Sequence, residues 1–210
     1  MENERVEIMS YILIIILSYL VGCSSMSYYI GKLNGFNMKE KGTGNLGASN
    51  TVLLIGWKAG ALVALHDILK AVLVVCVTRY FFSSLPYALV LSGTSCILGH
   101  IFPFYLNFKG GKGLASYVGV ALALDYKFGL FLILAIIIVT LITDYIVCGT
   151  LTTMFITPIY FLFSISFISG LILNVASIVM IFKHIESIKR IINGTEVGLR
   201  RANKGDGRIK

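Results

Sequence analysis

The chain has 210 residues, of which 57% are hydrophobic and 13% charged, and its mean hydropathy is +0.86. A water-soluble domain of ordinary composition is far less apolar and more highly charged. In a bilayer every backbone polar group must be satisfied within the spanning segment, which favours helices. The composition therefore excludes a soluble domain and predicts an all-α, polytopic membrane protein.

The net charge of +8 does not indicate nucleic-acid binding. The basic residues flank apolar segments, and no aromatic–basic stacking platform accompanies them. We expect the charge to set orientation and to contact anionic membrane lipid.

Seven apolar runs follow along the chain and predict about seven transmembrane helices in a single domain over residues 1–210. The fourth is short for a full span. The runs cover residues 9–30, 51–77, 85–101, 114–124, 128–143, 146–166 and 168–182.

The distribution of basic residues predicts the orientation in the cell membrane. With seven spans, 14 of the 18 Lys and Arg residues fall on one face, in the first loop, the third loop and the tail. The positive-inside rule makes that face cytoplasmic. The acidic amino terminus is then outside and the carboxyl terminus inside.

The first loop combines lysine, glycine, amide and hydroxyl groups and leads into the second apolar run. Its glycines let backbone N–H groups turn toward a ligand, and Ser49 or Asn50 could cap the following helix. An anion would fit at such a helix start. The alternative is a flexible connector. The candidate ligand-binding residues are Lys39, Thr43, Gly44, Asn45 and Asn50.

A second glycine-rich element, residues 99–113, also precedes a helix. It is not a Walker A loop, because Leu106 stands where the first glycine belongs and Gly113 replaces the magnesium-binding hydroxyl. What remains is a turn with two lysines suited to phosphate, beside a candidate functional histidine. The candidates are His100, Lys109, Gly110, Gly111, Lys112 and Gly113.

The tail adds a third anion-binding candidate, from Lys183 to Glu196. An ordinary juxtamembrane basic cluster is the alternative. Within it, His184, Ser187 and Glu196 are the candidate binding residues.

Asp67 and Lys70 stand at i, i+3 spacing inside an apolar run. Intramembrane charges are costly and often functional. A structural ion pair is nevertheless favoured, because in the sequence the pair lies away from the glycine loops. His66 stays unassigned. The four cysteines are isolated, so neither a zinc site nor a disulfide framework is indicated.

In these segments the sequence resembles the bacterial acyl-phosphate:glycerol-3-phosphate acyltransferases, the PlsY family. Residues 42–50 are similar to the family's G-S-G-N-x-G-A-T-N loop, and residues 99–113 match G-H-x-F-P-x-(Y/F)-L-x-F-x-G-G-K-G without a break. Residues 184–196 resemble the third signature, a histidine followed by a basic helix and G-T-E.

The resemblance implies transfer of a fatty acyl group from acyl-phosphate to the sn-1 hydroxyl of glycerol 3-phosphate, giving lysophosphatidic acid and phosphate. It implies no metal or cofactor. His100 and Lys112 would be catalytic, and the other candidates named above would bind the two substrates. Positioning and electrostatics could supply much of the rate, because acyl-phosphate already carries a good leaving group.

The sequence departs from the family pattern at four places. Residues 23–27 replace S-I-P-x-G, Lys39 replaces an arginine, Asp144 begins the segment where R-x-x-S is expected, and Ser187 stands at an expected asparagine. These departures keep open a non-catalytic paralogue, and a small anion transporter is the other alternative. Oligomeric state and acyl-chain preference remain open.

Overall fold

The computed structural model describes residues 2–200, and within that range the chain is helical and contains no strand. The basic tail residues Arg201, Lys204, Arg208 and Lys210, and the ends of the domain expected over residues 1–210, lie outside it. The α-helices are α1 Glu2–Cys23, α2 Met26–Leu33, α3 Ala48–Leu54, α4 Trp57–Phe82, α5 Ala88–Ile101, α6 Leu114–Leu124, α7 Tyr126–Thr143, α8 Ile146–Ser164 and α9 Phe167–Ile192, with a 3-10 helix at Phe104–Leu106.

Six helical stretches of the described chain are long and apolar enough to cross a membrane. The stretches are α1 with α2, α4, α5 with the 3-10 helix, α7, α8 and α9. Helix α6 is the seventh apolar segment, but its 11 residues reach about 16 Å, roughly half of the hydrocarbon core. The prediction of an all-α membrane protein with about seven helices is confirmed.

Two apolar runs contain breaks that the sequence analysis did not predict. Within the first run, α1 ends at Cys23 and α2 begins at Met26. Ser25 caps α2, its side chain accepting the Tyr28 N–H at 3.3 Å. The second run divides into α3 and α4, because Gly56 adopts φ +120°, which L side chains rarely reach. The expectation of one continuous helix over residues 51–77 was wrong.

Close packing between α1 and α5 fixes the end of α5 that carries His100. A Cβ on Gly22 of α1 would overlap the Cys96 carbonyl, and a Cβ on Gly99 of α5 would overlap the Tyr19 carbonyl. Small residues of this kind let membrane helices approach closely, where dispersion replaces the hydrophobic effect as the attraction. The backbone at His100 is therefore held rigidly.

The first loop, the glycine-rich element and the tail meet at one end of the bundle. Lys39 Nζ donates to the Leu106 carbonyl at 2.9 Å, and Lys112 Nζ donates to Ser187 Oγ. At the opposite end Arg79 Nη2 donates to the Ala123 carbonyl. The three anion-binding candidates thus share one end.

Candidate active site

A cavity of about 260 Å³ opens at this end and extends between the helices. One part is polar and the other apolar. The polar lining includes Thr43, Asn45, Asp67, His100, Lys112, His184, Arg190 and Glu196, and the apolar lining includes Ile68, Leu114, Val118, Ile133, Ile136, Ile137, Ile146 and Val147.

The first loop is shaped by Asn50, which is fully buried. Its Oδ1 accepts the Thr43 N–H at 2.8 Å, and its Nδ2 donates to the carbonyls of Met38 and Lys41 at 3.1 and 3.2 Å. The expected cap at Ser49 or Asn50 was wrong, since Gly47 is the N-cap of α3 and no side chain caps it. Asn50 therefore organises the loop from behind, while Thr43 and Asn45 face the cavity.

Close packing, and not the need to expose a backbone N–H to a ligand, explains the glycines of the second element. The N–H groups of Gly110 and Gly111 donate to the carbonyls of Ile101 and His100 at 3.0 and 3.1 Å. A Cβ on Gly111 would overlap His100 Nε2. Both N–H groups therefore hold the turn together, and the lysines of this element remain its candidate phosphate-binding groups.

Gly113 begins α6 in the left-handed region, at φ +97°, and no side chain caps this helix. The first N–H groups of an α-helix lack intrahelical partners, and the positive end of its dipole favours an anion. Gly113, Leu114 and Ala115 line the cavity. The N-terminus of α6 therefore supplies backbone N–H donors beside Lys112.

Two cations converge on one buried hydroxyl behind the cavity wall. Ser187 Oγ accepts hydrogen bonds from Lys112 Nζ and from Arg190 Nη2, the second at 2.7 Å. Arg190 Nε also pairs with Glu196. The pKa of Lys112 is lowered to about 8, chiefly by burial, with Glu196 opposing the shift and Arg190 adding to it. This arrangement concentrates positive charge in a partly dehydrated place.

His184 lies in the same wall and is 3% exposed. Its Nδ1 is 2.8 Å from the Met180 carbonyl. A carbonyl can only accept, so Nδ1 carries the proton and the neutral ring has its lone pair on Nε2.

The pair Asp67–Lys70 lies beside His100, and the expectation that it is remote from the glycine-rich elements was wrong. Lys70 Nζ is 2.8 Å from Asp67 Oδ1, 3.0 Å from His100 Nδ1 and 2.7 Å from the Ser24 carbonyl. Asp67 Oδ1 also lies 3.3 Å from His66 Nδ1. The i, i+3 spacing predicted the ion pair. His100, which lies 30 residues after Lys70 in the chain, could not be recognised as its neighbour from the sequence alone.

Three of the expected residues lie elsewhere. Lys39 lines a second cavity with Tyr28, Lys32 and Tyr105, and its pKa is lowered by burial and by nearby Lys109. Lys109 is exposed, and Gly44 turns within the first loop, donating its N–H to the Lys41 carbonyl at 3.1 Å. None of the three belongs to the lining of the main cavity.

Sequence reasoning did not select Arg190, although it lines the cavity. It was one of several basic residues in the tail, and only tertiary packing distinguishes it from exposed Lys189. Within residues 2–200 no group of three or more His, Cys, Asp or Glu side chains could hold a metal ion.

Comparison with known proteins finds relatives along nearly the whole chain. The family model described as glycerol-3-phosphate acyltransferase matches residues 12–194. Glycerol-3-phosphate acyltransferase 1 of Oceanobacillus iheyensis is 39% identical over 203 residues, covering 91% of this chain and 96% of the relative. The glycerol-3-phosphate acyltransferase of Bacillus subtilis is 35% identical, covering 88% and 95%.

The fold is also similar to crystal structures of PlsY (YgiH), described as an integral membrane glycerol 3-phosphate acyltransferase. The glycerol 3-phosphate form gives a TM-score of 0.85 and the lysophosphatidic acid form 0.81. Each is 28% identical and covers 90% of this chain, with 96% and 95% of PlsY covered in turn.

Proposed function

The chain belongs to the glycerol-3-phosphate acyltransferase family, and from this membership we propose that the main cavity is its active site and that acyl-phosphate is its acyl donor. The protein is an integral membrane enzyme of phospholipid synthesis that acylates glycerol 3-phosphate.

One observation carries the proposal: a single cavity joins a cationic wall to an apolar space between helices. An acyl-phosphate has the same two parts, a charged head and an oily chain. The chain would lie along Ile133, Ile137 and Val147 of α7 and α8, where burying each CH₂ is worth about 0.8 kcal/mol. The head would then reach the cations.

Lys112 and Arg190 are the side chains best placed to bind phosphate. Both contact Ser187 and both line the cavity. Arginine presents a planar fork that suits phosphate oxygens, and lysine supplies a point charge. Glu196 holds the Arg190 guanidinium from one side, which leaves its remaining donors for a ligand.

In the proposed reaction the sn-1 oxygen of glycerol 3-phosphate forms a bond to the acyl carbon. The bond from that carbon to the phosphate oxygen breaks, and phosphate leaves. The hydroxyl proton departs with the phosphate. Charge on the attacked carbonyl and the departing phosphate would be stabilised by His100, Lys112 and the first turn of α6. Thr43, Asn45 and His184 would orient the acceptor.

Five further residues are proposed to support this site without lining it. Asn50, Gly110 and Gly111 shape the two loops, Gly44 turns the first loop, and Ser187 joins the cations. Lys39 and Lys109 would attract the anionic substrates toward the site from its surroundings, as basic surfaces do.

We also propose that the site faces the cytoplasm, with the amino terminus outside and the carboxyl terminus inside. Support comes from the basic bias of the loops at the site's end of the bundle. Both substrates would then be drawn from the cytoplasm or its membrane leaflet.

The donor is tested with purified protein in lipid nanodiscs and radiolabelled glycerol 3-phosphate. An acyl-phosphate should yield lysophosphatidic acid and one equivalent of phosphate. Acyl-coenzyme A and acylated acyl carrier protein should yield no lysophosphatidic acid. Lys112→Met should lower kcat/KM by about 10²-fold or more, and Lys58→Met, a change at an exposed lysine of α4, should not. Equal use of acyl-coenzyme A would overturn the donor assignment.

A further inference from the structure

Asp67 and Lys70 form a buried ion pair whose energetic cost calls for an explanation. Their side chains are 3% and 4% exposed, within a membrane-spanning helix. Burying two charges costs several kcal/mol per ion unless hydrogen bonds satisfy them fully. The remaining contacts of Lys70 show which hydrogen bonds do so.

The Lys70 ammonium has three protons and three acceptors. These are the Ser24 carbonyl at 2.7 Å, Asp67 Oδ1 at 2.8 Å and His100 Nδ1 at 3.0 Å. An ammonium has no lone pair, so His100 Nδ1 must accept. Asp67 Oδ1 lies farther from that nitrogen, at 3.4 Å.

It follows that the neutral His100 ring carries its proton on Nε2. This nitrogen faces Gly111, where a Cβ would overlap it, and the ring lines the cavity beside Lys112. Because the His100 ring lines the cavity beside Lys112, this N–H is placed to donate to an oxygen of a ligand bound there.

His184 has the opposite arrangement. Its Nδ1–H donates to the Met180 carbonyl, which leaves Nε2 as an acceptor. The cavity thus has one histidine that donates and one that accepts. The environment of each ring sets this difference, since Lys70 stands behind His100 and a carbonyl behind His184.

We propose that Lys70, itself held by Asp67, is a positioning residue that keeps His100 in the Nε2–H form. His100 then serves as a hydrogen-bond donor to an oxygen that gains negative charge during acyl transfer, and not as a base. The catalytic role rests on the proposed function of the cavity, whereas the tautomer can be measured without substrate.

The tautomer is measured by NMR on protein labelled with ¹⁵N-histidine in nanodiscs, because protonated and unprotonated ring nitrogens resonate far apart. His66→Gln and His184→Gln assign the signals. In the parent protein His100 should carry its proton on Nε2. Lys70→Met should move it to Nδ1, toward Asp67, and Lys70→Arg should keep it on Nε2.

Kinetics supply the second readout. Lys70→Met should lower kcat by about 10²-fold, the usual cost of one donor to a developing oxyanion, with little change in either KM. Lys70→Arg should regain most of that loss, and Lys58→Met on the same helix should behave as the parent.

A proton on His100 Nδ1 in the parent protein would overturn the proposal, even if every variant misfolded. An unchanged kcat in folded Lys70→Met would overturn it as well. If the protein transfers acyl groups while His100 carries its proton on Nδ1, this inference is refuted and the proposed function stands. The expected tautomer in a protein that transfers no acyl group would refute the proposed function and, with it, the catalytic role of His100.

Discussion

If Lys112 binds phosphate as proposed, its lowered pKa should make that binding sensitive to pH in a range where most lysines stay charged. Burial brings the pKa of this side chain to about 8. The charged form binds phosphate, so binding should be fully present below that pKa and should be lost as the pH rises through it. Lys112→Arg keeps its charge throughout, because arginine is not deprotonated in proteins.

The magnitude follows from the titration. At pH 9 about one tenth of Lys112 would be charged in the free enzyme, so kcat/KM should fall about tenfold per pH unit above 8. Bound phosphate favours the ammonium form, so the break in kcat should lie at higher pH. Over pH 8 to 10, Lys112→Arg should lack this break, whatever its absolute rate.

Stability should change in the opposite direction. Lys112 has a lower pKa in the folded protein than in the unfolded chain, so between about pH 8 and 10.5 the unfolded chain binds the extra proton. This group therefore adds stability as the pH rises across that window. Deprotonation of Lys112 therefore cannot lower kcat/KM in this window by unfolding the protein.

The assay measures initial rates of lysophosphatidic acid formation from pH 6.5 to 10, with thermal unfolding followed at each pH. The parent, Lys112→Arg and Lys58→Met should be compared. A break near pH 8 that persists in Lys112→Arg would refute the assignment to Lys112. Absence of any break in the parent would refute the buried, phosphate-binding role itself.

Three further predictions follow from the geometry. Gly111→Leu should abolish acyl transfer while the protein stays in the membrane, because its side chain would displace His100; rates per membrane-inserted protein measure this. Arg190→Gln should raise KM for a phosphate substrate roughly tenfold or more, for loss of a charged hydrogen bond, whereas the exposed neighbour change Lys189→Gln should not. A cysteine at position 109, in a chain whose native cysteines are replaced, should react with impermeant maleimide in inverted vesicles and not in intact cells, and labelling of intact cells would contradict the topology.

Much of the fold was predictable because the bilayer imposes a simple rule on composition. Apolar runs of sufficient length marked the helices, and even the short α6 was delimited correctly as residues 114–124. The breaks at Ser24 and Gly56 were missed because they lie inside apolar runs, where one or two small residues change the average hydropathy little. The side chain of Ser25 caps the helix after the first break, and the backbone conformation of Gly56 sets the second.

The lining of the candidate cavity was predictable where its residues stand in dense local motifs. His100, Lys112 and Gly113 all line the cavity, and all come from one uninterrupted segment. Asp67 reaches the same cavity from α4, more than thirty residues earlier in the chain. Only packing of α4 against α5 reveals that proximity, and the single sequence contains no sign of it.

Two of the four departures from the family pattern, Asp144 and Ser187, belong to one connected network. Asp144 accepts the Arg200 N–H at 3.0 Å, and its carbonyl accepts the Leu199 N–H at 2.8 Å. An arginine at position 144 would lose the first contact and place a cation near the Arg200 side chain, whose Nε lies 3.8 Å from the carboxylate.

That network reaches the cations of the site. The tail held by Asp144 carries Glu196, which pairs with Arg190, and Arg190 meets Lys112 at the hydroxyl of Ser187. Position 187 is fully buried. An asparagine there is larger than Ser187, so it would have to push the two cations apart or displace other neighbours. Asp144 and Ser187 are therefore connected through the tail, and we expect a change at either position to disturb the two cations. Lys39 stands outside this network, in the second cavity, so its difference from the family arginine concerns the approach of substrates more than their chemistry.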